Sequence, residues 1–399
     1  MFDFLKNNIL YHNKYKTHSE AVIISCYFNP QKSPYRTKAF RIFYESIKHL
    51  NHHIVECVIG DGQPELHDIV PSKNRKTVYT SNLLWHKETL LNNLISELPE
   101  KYKYVFWLDA DIILTNKNWL PEAVEKLQYC TIVQPFEYCF HLEQDEIKPG
   151  NFIQNNIENI KQFASIPKLK HPKVWRSFCA NWVDKRHVAI SNNYDEHGHV
   201  GMAWGAKREI LEKVPLYDKA LIGGADHIIA HAAVGQIVHN CISKSFIEDL
   251  DDIKTWSYKF HFETMGLVGY VKSDLYHIWH GEIENRQYLK RIIDFTPKAK
   301  NIIQKDENGL YVTDDKNTLN YMSRYFLTRE VMHEVDLLDP TNPLNFVNPA
   351  SPLYQVINAV QDDSQNNVVQ ENHHDHGHSH QHDNVHQSDS TINYNENFS

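Results

Sequence analysis

The sequence lacks the features that mark several common classes of protein. It has no apolar run of the roughly 20 residues that a membrane-spanning helix needs. Its opening segment, MFDFLKNNILYHNKYK, has neither the apolar core nor the cleavage site of a secretory signal. Acidic residues outnumber basic ones by 50 to 41, so no basic excess indicates affinity for nucleic-acid phosphates. These absences predict a cytoplasmic protein without a transmembrane segment and without general nucleic-acid affinity.

Cysteine is scattered rather than paired. The six cysteines include no Cys-x-x-Cys motif, which argues against a zinc knuckle and against a dense disulfide framework. A reducing compartment fits this pattern best. They are Cys26, Cys57, Cys130, Cys139, Cys179 and Cys241.

What the chain does contain is material for a large core. Its 399 residues are 41% hydrophobic and 12% aromatic, which suits one large α/β body with additions. Apolar runs predict strands over Ala21–Phe28, residues 54–59 and Tyr104–Leu108, and helical spacing predicts helices over residues 36–50 and 87–98. This alternation predicts a largely parallel sheet, whose ligands bind beyond the carboxyl ends of its strands.

The later part of the chain is less regular. Residues 145–200 suggest a long acceptor-side loop, residues 257–269 suggest strands, and residues 285–293 look helical. Residues 300–355 give no clear pattern. Beyond Gln361 the chain is rich in Asn, Asp, Gln, Ser and His, so we expect a disordered tail. Its segment 373–386 has the composition of a loose chelator of Zn²⁺, Ni²⁺ or Cu²⁺.

The triplet Asp109-Ala110-Asp111 directly follows an apolar strand. Both carboxylates can address one crevice while Ala110 faces the core, and such hard oxygen ligands suit Mg²⁺ or Mn²⁺. A divalent ion of this kind neutralises a departing diphosphate. Two solvated loop aspartates would give the same triplet, so the surrounding run WLDADIIL carries the weight of this interpretation.

A wider match makes the interpretation more specific. The run LLWHKETLLNNLISELPEKYKYVFWLDADIIL, residues 83–114, resembles the GT-A sugar-nucleotide transferases of the large inverting family, similar to glycosyltransferase family 2. The resemblance implies an α/β GT-A fold, Rossmann-like, with a mainly parallel central sheet flanked by helices. It also implies that Mn²⁺ or Mg²⁺ is the cofactor, that Asp111 binds the metal, and that Asp109 binds the metal or the ribose of the donor.

A second block, residues 201–232, resembles the acceptor segment of these enzymes, where a Gly-rich loop with an acidic residue precedes a helix. The resemblance makes Asp226 the catalytic base and places Gly223 and Gly224 beside the acceptor, where glycine permits close backbone approach. Helix capping is the structural alternative for Asp226. Trp204 is a candidate for the acceptor wall or for the core.

A third block, residues 275–291, resembles the segment with which many GT-A enzymes complete the metal site. His280 is the implied metal ligand, with His277 in reserve. On a strand, residues 277 and 280 would point to opposite faces, so the two histidines are not expected to be equivalent. Arg286 is a candidate for binding the donor phosphates, or for a surface ion pair.

Two residues complete the donor half by analogy. Asp61 would accept a hydrogen bond from the nucleotide base, and Lys87 would approach phosphate. A turn aspartate and a solvated helix lysine are equally good interpretations of these positions.

The sequence therefore predicts a metal-dependent glycosyltransferase that moves a sugar from a nucleoside-diphosphate sugar, preferably a UDP-sugar, to an acceptor hydroxyl with inversion. The acceptor can be a glycan, a lipid-linked molecule, a protein or a nucleobase. The alternatives are a nucleotidyltransferase of similar fold, and a non-catalytic protein that binds glycans or sugar nucleotides. The predicted divisions are a lead-in (1–19), a GT-A domain (20–299, with donor half 20–140 and acceptor half 141–299), a C-terminal extension (300–360) and the tail (361–399).

Overall fold

The structure, a computed structural model, describes most of the chain between residues 15 and 329. The described ranges are 15–144, 173–189, 197–243, 250–281, 284–286 and 304–329. The predicted disordered tail and most of the segments predicted at residues 145–200 and 285–293 lie outside them. Within them, no helix is long and apolar enough to cross a membrane.

The described part of the chain contains thirteen strands. They are β1 (Ala21–Phe28), β2 (His52–Ile59), β3 (Arg75–Thr80), β4 (Tyr104–Leu108), β5 (Ile112–Leu114), β6 (Ile132–Gln134), β7 (Tyr138–His141), β8 (Val174–Arg176), β9 (Ala203–Lys207), β10 (Val268–Tyr270), β11 (Asp274–His277), β12 (Gln304–Lys305) and β13 (Tyr311–Val312).

Helices alternate with these strands. The α-helices are α1 (Pro34–Ile47), α2 (Lys87–Glu97), α3 (Trp119–Lys126), α4 (Phe178–Asp184), α5 (Arg186–Ala189), α6 (Arg208–Lys213), α7 (Ala225–Ala233), α8 (Asn240–Ser243), α9 (Leu250–Thr264) and α10 (Lys316–Arg329). Two short 3₁₀ turns cover Ser72–Asn74 and Glu284–Arg286.

Seven strands form the central sheet, in the order β10-β6-β9-β4-β1-β2-β3. The pairs β1/β2, β2/β3, β1/β4 and β6/β10 are parallel, whereas β9 runs antiparallel between β4 and β6. The predicted α/β class, with a mainly parallel central sheet flanked by helices, is confirmed.

Strand β1 shows why its sequence is continuously apolar. Val22 and Ile24 belong to the hydrophobic cluster on one face of the sheet, while Ala21 and Ile23 belong to the cluster on the other face. Because successive strand residues point to opposite faces, a strand covered on both sides needs apolar residues at every position. The site described below lies at the carboxyl ends of β1 and β4.

A second sheet of four strands lies beside the first, in the order β5-β11-β7-β8. Strand β5 follows Asp111 and pairs antiparallel with β11, so that Ile112 lies opposite His277. Strand β11 in turn pairs parallel with β7, which places His277 opposite His141. This small sheet brings a late segment of the chain beside the Asp-Ala-Asp triplet.

The strands predicted over residues 257–269 are wrong for most of that range. Helix α9 occupies it up to Thr264, and strand β10 begins only at Val268. The buried residues Ile253, Ser257, Phe260 and Thr264 recur at helical spacing, and the ring of Trp256 stacks on that of Phe260 with centroids 4.7 Å apart. Aromatic content favoured strands, but the spacing of the buried residues decided for a helix.

Residues 304–329, where no clear pattern was found in the sequence, form the hairpin β12/β13 and helix α10. Met322, Tyr325 and Phe326 pack in one hydrophobic cluster with Leu84 and Ile222. This part of the predicted C-terminal extension therefore covers the α/β body next to the segment that leads into α7. The domain boundaries themselves stay predictions.

Candidate functional site

The backbone around the Asp-Ala-Asp triplet is fixed from two sides. The Asp109 N–H donates to the carbonyl oxygen of Met202 at 2.7 Å, and the Asp111 carbonyl accepts from the Ile278 N–H at 2.8 Å. The first contact extends the pairing of β4 with β9, and the second extends that of β5 with β11. The two aspartates are therefore held by different sheets, one residue on either side of Ala110.

The first half of the site is built around Lys87, the first residue of α2. Its Nζ lies 2.7 Å from Asp109 Oδ1 and 3.6 Å from Asp226 Oδ1. Burial would lower the pKa of Lys87, but the two carboxylates hold it well above its usual value. We call Lys87, Glu88, Asp109 and Asp226 the lysine side of the site.

The lysine side carries more acid than one lysine can neutralise. Burial raises the pKa of Asp109 to about 6, opposed by Lys87 and reinforced by Asp226. Burial likewise raises the pKa of Glu88, which is 3% exposed, to about 8. A cation that entered this half of the site would favour ionisation of both groups.

Asp226 enters the site from the first turn of α7. The N-cap position of this helix is taken by Gly224, with φ of 94°, and Gly223 has φ of 89°. Both values lie in the left-handed region that favours glycine. A Cβ on Gly201 would lie 3.3 Å from Asp226 Oδ2, so this third glycine leaves room for the carboxylate. The capping alternative for Asp226 is not supported, because the cap position belongs to Gly224.

The second half of the site is built around Asp111. His280 Nε2 lies 2.9 Å from Asp111 Oδ2, and His277 Nε2 lies 3.7 Å from Asp111 Oδ1. The expectation that the two histidines point to opposite faces is wrong, because β11 ends at His277 and the strand alternation stops there. The chain then turns, and His280 comes back to the same carboxylate.

Arg286 contacts the same two histidines. Its guanidinium Nη2 is 2.9 Å from His280 Nε2 and 3.3 Å from His277 Nε2, and the residue is 5% exposed. The surface ion pair considered for Arg286 is therefore wrong. We call Asp111, His277, His280 and Arg286 the histidine side of the site.

The ionisation states of the histidine side suit a metal. Burial lowers the pKa of His280 to about 4 and that of His277 well below its usual value, with the Arg286 guanidinium acting in the same direction. Burial would raise the pKa of Asp111, but His277, the hydrogen bond with His280 and the Arg286 guanidinium hold it well below its usual range. The result is one carboxylate and two neutral imidazoles, which are metal-ligand forms.

The side-chain atoms that could bind a metal also lie close enough together to hold one divalent ion. One ligand atom from each of Asp111, His277 and His280 lies within 4.8 Å of the others. Among the described residues, buried Asp111 Oδ1 and His280 Nδ1 have no hydrogen-bond partner. A mixed oxygen and nitrogen set suits Mn²⁺ better than Mg²⁺, which prefers oxygen throughout. The Arg286 guanidinium contacts the ring nitrogens that an ion would use.

Two predicted residues lie apart from these contacts. Asp61 is exposed in the turn after β2. Trp204 is 1% exposed, donates its indole N–H to the Val200 carbonyl at 2.7 Å and stacks on Trp107. The core alternative for Trp204 is the one that the structure supports.

Sequence reasoning assigned no role to several groups that the fold brings to this region. Glu88 was part of the matched helix run, and its presence among apolar α2 residues was the available signal.

Cys139 and His141 lie two residues apart in β7, and this spacing was visible in the sequence. The third member of their group, His199, comes from a distant segment. One ligand atom from each of these three lies within 4.8 Å of the others.

No family model matches the chain, and no curated protein is similar to it in sequence. Several solved structures are similar. Residues 1–349 of TarS from S. aureus are 11% identical, with 87% of this chain and 92% of that one covered and a TM-score of 0.33. A glucosyl-3-phosphoglycerate synthase from Mycobacterium tuberculosis, solved with Mn²⁺, UDP-glucose and phosphoglyceric acid, is 9% identical, with 76% and 88% covered and a TM-score of 0.32. These values assign no activity to the chain, so its function is argued from the site.

Proposed function

We propose that the chain is a metal-dependent glycosyltransferase of the GT-A type, which transfers a sugar from a nucleoside-diphosphate sugar to an acceptor hydroxyl. One observation carries the proposal. The Asp-Ala-Asp triplet joins a buried lysine and acid network to a carboxylate and histidine group, at the carboxyl end of a mainly parallel sheet. Ligands of such sheets bind at that edge.

The donor would lie across both halves of the site. Asp61 would accept a hydrogen bond from the nucleotide base, and Asp109 would contact the ribose or the metal. Lys87 and Arg286 would contact the diphosphate, as both carry positive charge beside the triplet. A UDP-sugar is the preferred donor. The diphosphate would draw Arg286 from the histidine nitrogens, since a phosphate oxygen is a better acceptor for a guanidinium than a neutral imidazole.

Asp111, His277 and His280 would hold Mn²⁺, or less favourably Mg²⁺. When bound, the ion supplies positive charge for the diphosphate leaving group. Asp109, two residues away, would add a further oxygen ligand or hold the ribose. Its carboxylate is available for either task once Lys87 moves toward phosphate.

Asp226 would act as the base. It would take the proton of the acceptor hydroxyl as that oxygen bonds to the anomeric carbon and the bond from this carbon to the diphosphate breaks. Attack from the face opposite the diphosphate inverts the anomeric configuration. Gly223 and Gly224, which have no side chain, would let the acceptor approach the backbone beside Asp226. A glycan, a lipid-linked molecule, a protein or a nucleobase fits this chemistry.

The test is donor hydrolysis across a panel of UDP-, GDP- and dTDP-sugars with Mn²⁺. We expect slow cleavage of one donor, most readily a UDP-sugar, which stops when EDTA is added. If no donor is cleaved, calorimetry with the same panel decides the matter. Metal-dependent binding would show that an acceptor is required, whereas absence of binding to every donor would rule out the transferase.

A further inference from the structure

We propose that Cys139, His141 and His199, together called the Cys-His cluster, form a second metal site that binds a thiophilic divalent ion such as Zn²⁺. It is separate from the Asp111 group and does not depend on the proposed transfer reaction. The cluster offers one sulfur and two imidazoles within 4.8 Å of one another.

Two sheet contacts assemble the cluster. Cys139 and His141 are two residues apart on β7, so their side chains point to the same face. His199 is held opposite them by its backbone, because its N–H donates to the Arg176 carbonyl at 2.8 Å and its carbonyl accepts from the Phe178 N–H at 3.1 Å. The three groups are therefore fixed by backbone pairing, as a preorganised metal site requires.

The state of His141 points to a missing ligand. The residue is 5% exposed, and in the described part of the chain neither of its ring nitrogens has a hydrogen-bond partner. A buried polar atom in this state has lost its hydrogen bonds to water without replacement, and most buried polar atoms in proteins avoid it. Burial also lowers the pKa of His141 well below its usual value, which leaves the neutral form that binds metals.

Cys139 and His199 suit the same role. Cys139 is completely buried and its thiol is free of disulfide. His199 Nδ1 accepts a long hydrogen bond of 3.2 Å from the Gly201 N–H, so Nε2 is the nitrogen left for an ion. When Nε2 binds the ion, the ring proton would move to Nδ1, and the hydrogen bond from Gly201 would be lost. Metal binding would release the Cys139 thiol proton, because the ligand is the thiolate.

The chemistry of the cluster selects a different ion from that of the Asp111 group. Thiolate and imidazole favour Zn²⁺, whereas Mn²⁺ and Mg²⁺ prefer carboxylate oxygen. The two groups are neighbours, since the rings of His141 and His277 lie 4.7 Å apart. His141 also lines a pocket with His277 and Arg286.

The test is titration of the full metal-free chain with Co²⁺, a spectroscopic substitute for Zn²⁺. We expect near-ultraviolet absorption from cobalt-thiolate charge transfer, saturating at one ion per chain and removed by Zn²⁺. The His-rich segment 373–386 contains no cysteine, so ions bound there do not contribute to this absorption.

Variants assign the absorption to the cluster. It should disappear in Cys139→Ser and persist in the matched buried-cysteine control Cys57→Ser and in Asp111→Asn. His141→Leu should weaken Co²⁺ binding more than about 10-fold. This variant should fold, because leucine removes two nitrogens that make no hydrogen bond, and it keeps the test valid if Cys139→Ser does not fold. Absence of the absorption in the parent chain, or unchanged binding in His141→Leu, would overturn the proposal.

Discussion

The two halves of the site shift the pKa of the same residue type, aspartate, in opposite directions. On the lysine side, the pKa of Asp109 is raised to about 6, although Lys87 Nζ lies 2.7 Å away. On the histidine side, the pKa of Asp111 is well below its usual range. Both carboxylates are largely buried, so burial alone does not separate them.

The difference lies in their neighbours. Asp109 shares its single lysine with Asp226 and lies near Glu88, so like charges reinforce the effect of burial. Asp111 faces two imidazoles and a guanidinium, with one hydrogen-bonding histidine at 2.9 Å. The two carboxylates of the triplet would therefore serve different tasks. Asp111 is ionised over a wide pH range, which suits a metal ligand, whereas the charge of Asp109 is less stabilised and would gain from a further cation or from a ribose hydroxyl.

Replacing the two aspartates one at a time gives the largest expected difference. Asp111→Asn removes the ionised ligand, so we expect donor cleavage to fall by about 1,000-fold, as loss of several kcal/mol of charge stabilisation implies. Asp109→Asn should cost about 10- to 100-fold, because Asp226 still neutralises Lys87. Initial rates at saturating donor and Mn²⁺ measure both effects.

Exposed Asp68→Asn is the matched control, and it should leave the rate unchanged. Equal losses in Asp109→Asn and Asp111→Asn would contradict the division of tasks between the two carboxylates.

Asp226→Asn should separate transfer from donor binding. We expect transfer to fall by about 100-fold, within the usual range for loss of a general base. Donor affinity, measured by calorimetry, should stay within a few-fold of the parent value, because Lys87 keeps its shorter contact with Asp109. Loss of donor binding in step with transfer would assign Asp226 to the donor instead of the acceptor.

Arg286→Gln should change the affinity for Mn²⁺ and the affinity for UDP in opposite directions. The guanidinium contacts the two ring nitrogens that would bind the metal, so its removal should raise the affinity for Mn²⁺, measured without sugar nucleotide, by a few-fold. The variant should bind UDP about 10-fold more weakly, since a charge-assisted contact to phosphate is lost. Manganese titration followed by electron paramagnetic resonance, and calorimetry with UDP, measure the two effects. A drop in both affinities would show that Arg286 supports the metal ligands instead of competing with the ion.

Much of the fold was predictable from local pattern. Strands β1 and β4 were predicted with their observed bounds, because continuous apolar runs identify strands covered on both faces. Helix α9 was missed, since its exposed aromatic residues Tyr258 and Phe262 hid the spacing of its buried face. Hairpin β12/β13 and α10 owe their positions to contacts with distant residues, which local pattern does not encode.

The candidate site was predictable only where a block of the sequence resembled a known family. The triplet, Lys87 and Asp226 came from matched blocks, and the fold brings them within ion-pair range. The joint approach of His277 and His280 to Asp111 depends on where β11 ends. The Cys-His cluster depends on the pairing of β7 with β8 and on the backbone bridge between Ser177 and the distant His199. Such positions follow from strand register, which one sequence does not reveal.

The smallest expected effect tests whether a buried histidine outside the two halves of the site is also neutral in the folded chain. His86 is the N-cap residue of α2, directly before Lys87, and burial lowers its pKa from 6.5 to about 4. The unfolded chain therefore takes up a proton at this residue first as the pH falls. Its contribution to stability is complete above pH 6.5, declines between there and pH 4, and is lost below.

For each such histidine, the free energy of unfolding should fall by about 1 kcal/mol between pH 7 and 5.5. His86→Phe should reduce the fall in the free energy of unfolding between pH 7 and 5.5 by about 1 kcal/mol. Urea unfolding at each pH, with EDTA present, measures this free energy. The cost of the variant at pH 7 should be about 1 kcal/mol, because one hydrogen bond is lost, from His86 Nε2 to the Asn82 carbonyl oxygen at 3.2 Å, while Nδ1 has no partner among the described residues. Parallel pH profiles for parent and variant would mean that His86 takes up its proton at the same pH in the folded and the unfolded chain, which would contradict the lowered pKa.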